Sequence, residues 1–159
     1  MYRVTAGYVF VHIFWRYFYS YGAGYGQSML PTMNTTGDHL IISRYYRRGR
    51  SVEIGDLVSF KHPLKEGVES IKRVLGMPGD FVLRDTPGKS GIMMQVPEGH
   101  CWVVGDNLEH SRDSRIFGPL PLALIKGKVV CRWSFTMGIW PGGFDRGLHD
   151  PGTDYEDVD

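Results

Sequence analysis

The chain has 159 residues, enough for one domain and too few for two ordinary ones. Hydrophobic residues make up 42% and charged residues 22%, a globular balance that excludes disorder over most of the chain, and a mean hydropathy of −0.21 excludes a polytopic membrane protein. Residues 1–135 carry a net +6 and residues 136–159 a net −5, a modestly basic body with an acidic tail that does not by itself demand nucleic acid.

Residues 8–25 hold nine of the chain's 21 aromatic side chains. The apolar run over 8–19 is broken by His12 and Arg16 and falls short of the roughly 20 apolar residues that span a bilayer. At helical spacing Tyr8, His12, Arg16 and Ser20 share one face, and Val, Ile, Phe and Trp fill the others. Three readings of this stretch stay open: a retained membrane anchor or interfacial helix over 1–25, a cleaved signal peptide, or a buried core helix. Arg16 inside the apolar run argues against the second.

From about Asp38 the chain reads as short strands separated by turn residues. The predicted strands are 39–43, 57–61, 70–75, 81–84, 93–97, 101–104 and 128–134. Gly-Asp occurs at 37–38, 55–56, 79–80 and 105–106, each time at a predicted strand edge. No long helical period follows residue 30, and one short helix is expected near 119–125. The body over 26–135 is therefore expected to be mostly β. The Gly-, Pro- and acid-rich residues 136–159 are expected to be a disordered tail.

Three segments carry candidate chemistry. In Tyr25-Gly-Gln-Ser-Met-Leu-Pro-Thr32, Ser28 follows a glycine turn and precedes a proline-restricted residue. Such a serine can be a nucleophile whose own N–H helps form an oxyanion hole, and it can equally be an ordinary turn serine. A nucleophilic serine needs a base, and none of the six histidines lies in a setting that marks it for that role. A lysine serves only if desolvation lowers its pKa. Lys72 sits mid-strand in Ser70-Ile-Lys-Arg-Val-Leu-Gly-Met-Pro-Gly-Asp80, where lysine is disfavoured. The bland alternative is an edge-strand lysine that discourages aggregation. The third segment, His100-Cys-Trp-Val-Val-Gly-Asp-Asn-Leu-Glu-His-Ser-Arg-Asp-Ser-Arg115, runs from an apolar strand into a dense polar loop, suited to a hydrogen-bond network or to plain solvation. Cys101 and Cys131 form no disulfide framework, and the spacing of His100, Cys101 and His110 matches no zinc site.

Together these segments resemble the type I signal peptidases, which use a Ser/Lys dyad. The resemblance runs in order through Ser28-Met-Leu-Pro-Thr32, Gly37-Asp38, Lys72-Arg73 to Gly76-Met-Pro-Gly-Asp80, Gly105-Asp-Asn107, and Ser111-x-Asp-Ser-Arg115. The wording of residues 100–108, Asp113-Ser-Arg115 and Leu120–Lys128 is most similar to the mitochondrial inner membrane branch of that family, the subunit 1 type. The resemblance implies a signal-peptidase-type antiparallel β-sheet domain behind a short membrane-associated helix. Ser28 would attack the scissile carbonyl, and Lys72 would take its proton. Ser111 would orient Lys72 by a hydrogen bond. Asp113 would pair with Arg115, and with Arg73, to hold the loop. Gly105, Asp106 and Asn107 would support the site from beneath. The oxyanion hole would fall in the region of Gly26, Gln27 and Ser28. Some bacterial relatives have a serine donor where this chain has Gly26. No cofactor is implied. The implied partners are precursors with cleavable sorting peptides, membrane lipid and a second catalytic subunit, at the inner membrane with the site facing the intermembrane space. Rival readings are an inactive scaffold subunit, a self-cleaving repressor-type regulator, and a basic nucleic-acid-binding β-barrel. The last draws on Arg44-Tyr-Tyr-Arg-Arg-Gly-Arg50, a stretch that also suits anionic lipid headgroups.

Overall fold

The computed structural model describes residues 7, 9, 12, 14, 17–86, 88, 91–134 and 138–141. Among the described residues ten strands build the fold: β1 (Tyr19–Gly24), β2 (Asp38–Ser43), β3 (Leu57–Lys61), β4 (Glu69–Gly76), β5 (Phe81–Leu83), β6 (Met93–Gln95), β7 (His100–Val104), β8 (Leu120–Pro121), β9 (Ile125–Ser134) and β10 (Gly138–Pro141). All pairings are antiparallel. The main sheet runs β1-β2-β9-β3-β4-β7-β8, with β10 also on β9, and β5 pairs with β6 apart from it. The ten-residue β9 joins the two halves. Its start pairs with β3 and its remainder with β2, so Lys128 faces both Val58 and Ser43.

Central strands are buried on both faces and read as apolar runs instead of alternating. In β3, Leu57, Val58, Ser59 and Phe60 are all buried. Leu57 joins Met29, Met33, Leu40, Ile42 and Val129 on one side of the sheet. Val58 and Phe60 join Val74, Cys101, Val103, Leu120 and Ile125 on the other. Val82, Val96, Trp102 and Val104 fill a third cluster under β5 and β6. Consecutive residues of β4 inherit this two-sided burial, so Lys72, Arg73 and Val74 are all enclosed.

Three local results differ from the sequence expectation. The N-terminal helix does not run to residue 25. Gly7, Val9, His12, Phe14, Tyr17 and Phe18 are helical, but Tyr19 begins β1, which pairs with β2 from Tyr19↔Ser43 to Gly24↔Asp38. No helix among the described residues is long and apolar enough to cross a membrane. The chain near 119–125 forms β8 and a single 3-10 turn over Leu122–Leu124, and the short α-helix α1 lies earlier, at Ser114–Phe117. Part of the expected tail is ordered as β10, with Ile139 facing Trp133. The rest of that expectation, residues 136–137 and 142–159, lies outside the described residues.

Candidate active site

After β1 the chain turns through Tyr25, Gly26 and Gln27 into Ser28. Gly26 has φ of +105°, a conformation that L side chains rarely adopt, so glycine is required at this bend. Its N–H donates to the Thr35 carbonyl at 2.9 Å, closing the loop on itself. Gly26 therefore shapes the expected oxyanion region, but its own N–H is already engaged. Met29 and Met33, joined by a Met33 N–H to Met29 carbonyl bond of 2.8 Å, sink into the core and fix the loop from below.

Lys72 lies on β4 opposite Val58 and is 5% exposed. Its Nζ donates to Ser28 Oγ at 2.5 Å, across 44 residues of sequence. Burial pulls the lysine pKa down from 10.5 to about 8, opposed by the nearby carboxylates of Asp113 and Asp106 and assisted by the Arg115 guanidinium. A substantial share of these amines is therefore neutral near pH 8, where an ordinary lysine is almost wholly charged.

The loop after β7 braces the serine. The Asn107 N–H donates to the Ser28 carbonyl at 3.1 Å, and its Nδ2 donates to the Gln27 carbonyl at 3.0 Å. Gly105 makes the approach possible. A Cβ on it would lie 2.4 Å from the Ser28 carbonyl oxygen and 2.2 Å from Ser111 Oγ. Asp113 holds the loop closed: it accepts from the Gly105 N–H at 3.0 Å and from Arg115 Nε and Nη2 at 2.8 and 2.9 Å. It also caps α1 through the Arg115 N–H. Burial alone would raise the Asp113 pKa. The bonds from Arg115 and Gly105, with the nearby Ser111, outweigh it and hold the carboxyl below its ordinary value.

The remaining support differs from the sequence reading in two places. Arg73 does not reach Asp113; it makes a two-pronged ion pair with Asp106, Nε to Oδ1 and Nη2 to Oδ2, both 2.8 Å. Strand geometry explains this: Arg73 lies on the face opposite Lys72 and meets Asp106 there. Arg73 also donates to the Gly55 carbonyl at 2.7 Å and to Thr32 Oγ1 at 3.4 Å, tying the serine loop to the Gly55 turn. Ser111 makes no hydrogen bond to Lys72. Its Oγ is buried beside Gly105 without a hydrogen-bond partner. Sequence reasoning missed Thr32 and Gly55 as anchors of Arg73. It also missed Asn34, whose N–H and Nδ2 donate to Asp38 at 2.7 and 3.1 Å.

Ser28 and Lys72 open on a groove of about 190 Å³. One wall is Ala23 to Gly26, at the end of edge strand β1, and the other is Glu69 to Lys72 of β4. Met29, Met33 and Asn34 line it between them. A serine hydroxyl beside a desolvated amine has the makings of a nucleophile with its base, and the two flanking strand segments offer backbone to an extended peptide.

Comparison with known proteins places this geometry in context. The family model described as signal peptidase, peptidase S26, matches residues 2–88 and 84–134. Mitochondrial inner membrane protease subunit 1 of Saccharomyces cerevisiae is 38% identical over 146 residues, covering 84% of this chain and 77% of that protein. The subunit 1 protein of Schizosaccharomyces pombe is 38% identical over 133 residues, covering 83% and 80%. Mitochondrial inner membrane protease subunit 2 of Danio rerio is 39% identical over 120 residues, covering 73% and 61%.

Proposed function

This chain belongs to the signal peptidase family, peptidase S26, and we propose that it is a serine endopeptidase in which Ser28 is the nucleophile and Lys72 the general base. One observation carries the reading: the Lys72 amine, buried and with its pKa near 8, lies 2.5 Å from Ser28 Oγ. Neutral Lys72 takes the hydroxyl proton as Oγ attacks the scissile carbonyl carbon. The resulting ammonium returns that proton to the departing amine, leaving an ester on Ser28. Lys72, neutral again, activates the water that hydrolyses the ester. Asn107 and Gly105 fix the height of the serine loop, and Asp113 with Arg115 fixes the loop that carries them. The Ser28 N–H is the first oxyanion donor in this scheme.

The substrate lies extended in the groove, with main-chain hydrogen bonds to β1 and β4 and its alternate side chains directed into the groove. The relatives are mitochondrial inner membrane protease subunits. That supports a place at the inner membrane within a multi-subunit complex, and we propose that its partner is a second catalytic subunit. In this proposal the substrates are precursors with sorting peptides and the site faces the intermembrane space. The test is cleavage of a labelled precursor peptide by the full chain in detergent, with and without a candidate partner subunit. Ser28→Ala and Lys72→Ala are each expected to abolish it. A folded Lys72→Ala protein that cut at the parental rate would falsify the assignment of the base.

A further inference from the structure

We infer that the Arg44–Arg50 turn is a docking surface for the anionic phosphate headgroups of a lipid bilayer, set level with the start of β1. Arg44, Arg47, Arg48 and Arg50 are exposed, and the only acid over residues 44–55 is the exposed Glu53 beyond the turn. The nearby Asp56 is engaged by Lys128 at 2.5 Å. The turn is built, not merely charged. Tyr46 packs on the core cluster of Val58 and Phe60, and Lys128 Nζ sits 5.2 Å from its ring centroid. The Arg50 guanidinium lies 5.5 Å from the Tyr45 ring centroid. Gly49 is pressed against Leu122, which a Cβ there would meet at 2.7 Å. Arg48 and Ser51 hold left-handed backbone, φ 58° and 49°, which residues with side chains seldom adopt.

Their place in the fold supplies the partner. Ser43, the residue before the turn, pairs with Tyr19, the first residue of β1. Immediately before Tyr19 stand the helical and exposed Tyr17 and Phe18, with Phe14 and Val9 exposed behind them. One end of the β1–β2 pair therefore presents an exposed apolar helical segment and an arginine turn together. That combination fits an interface with acyl chains on one side and headgroup phosphates on the other. A single-stranded nucleic acid would need free aromatic faces. Tyr45 and Tyr46 instead pack edge to face at 5.2 Å, each with a cation over its ring. The inference rests on the membrane location proposed above and is independent of the Ser28–Lys72 mechanism.

The test is flotation of the full chain with phosphatidylcholine vesicles, with and without added phosphatidylglycerol, at low and high salt. The parent is expected to prefer the anionic vesicles, and salt to weaken that preference. Each arginine is expected to contribute about fivefold to partitioning. Arg47→Gln, Arg48→Gln and Arg50→Gln combined should reduce binding to anionic vesicles about a hundredfold and leave binding to neutral vesicles unchanged. The corresponding lysine triple variant should retain the preference. Peptide cleavage in detergent, on the same samples, reports the fold and tests the peptidase reading separately. The inference is overturned if the glutamine variant floats with anionic vesicles as the parent does. It is also overturned if the parent shows no anionic preference, or if a single-stranded oligonucleotide displaces it from the vesicles.

Discussion

Replacing Lys72 by methionine separates what the reaction loses from what the fold gains. In the folded chain burial brings the lysine from 10.5 to about 8, against the pull of Asp113 and Asp106. That difference corresponds to about 3 kcal/mol against the ammonium form. Above the unfolded value the amine is neutral in both states. Between about 8 and 10.5 the unfolded chain holds a proton that the folded chain does not, so stability rises with pH across that window. Below about 8 both states are protonated and the full penalty is present. Methionine is of similar length and carries no charge. Lys72→Met is therefore expected to stabilise the fold at pH 7 by about 2 kcal/mol, allowing for the lost bond to Ser28, and to remove the rise in stability at alkaline pH. It is also expected to abolish cleavage. In the parent, kcat/KM should rise with pH through about 8 and then level. At pH 7.5 about a quarter of the chains would carry the neutral amine, against about one in a thousand for an ordinary lysine. Urea unfolding in detergent followed by tryptophan fluorescence, repeated from pH 6 to 11, reads the stability arm. A Lys72→Met protein less stable than the parent at pH 7, with parental stability flat from pH 8 to 10.5, would refute the desolvation argument.

Three further substitutions probe the loop beneath the serine. Gly105→Ala places a Cβ 2.4 Å from the Ser28 carbonyl oxygen and 2.2 Å from Ser111 Oγ, so one of them must move. A shift of about 1 Å in the serine costs about a hundredfold in kcat, and a Gly105→Ala protein with normal kcat would show that the two loops are independent. Ser111→Ala removes a buried hydroxyl that has no hydrogen-bond partner and is expected to change thermal stability by less than about 1 kcal/mol. A fall in kcat with KM unchanged would then identify Ser111 as a positioning residue for Lys72. Arg73→Met strands the buried Asp106 carboxylate and is expected to cost about 3–5 kcal/mol in denaturant unfolding, with much of it restored by adding Asp106→Leu.

Strands rich in Val, Ile and Phe were legible because their composition and bounding turns announce them. Residues 57–61 were placed to the residue, and β2, β4 and β7 to within one residue at each end. β1 was not legible. Tyr-Ser-Tyr-Gly-Ala-Gly extends an aromatic run without a break and has poor strand propensity, and only its partner β2 makes it a strand. β10 is similar, four residues that owe their form to pairing with β9. In the site, lysine in an apolar strand marked Lys72, because a charge there demands an explanation. Parity in β4 already separated Arg73 from Lys72, yet which carboxylate Arg73 would meet depends on where the loop after β7 lands. The same is true of Gly105, whose missing side chain matters only because the Ser28 backbone passes 2.4 Å from where it would be. Local sequence reports composition and periodicity; it does not report which distant loop comes to rest on a given atom.

Strand β1 also works as a gauge. Its first residue sits beside the arginine turn, and its last is in the wall of the groove. Five steps of about 3.3 Å set those two ends about 17 Å apart at most. Whatever surface holds the Tyr19 end therefore fixes the elevation at which a bond can be cut. In the proposed function a precursor must present its scissile bond at that height, so selection by reach would operate alongside selection by side chain. Adding two residues to both β1 and β2 would keep every side chain on its present face and raise the cutting plane by about 7 Å. Adding one to each would turn the groove-facing side chains outward.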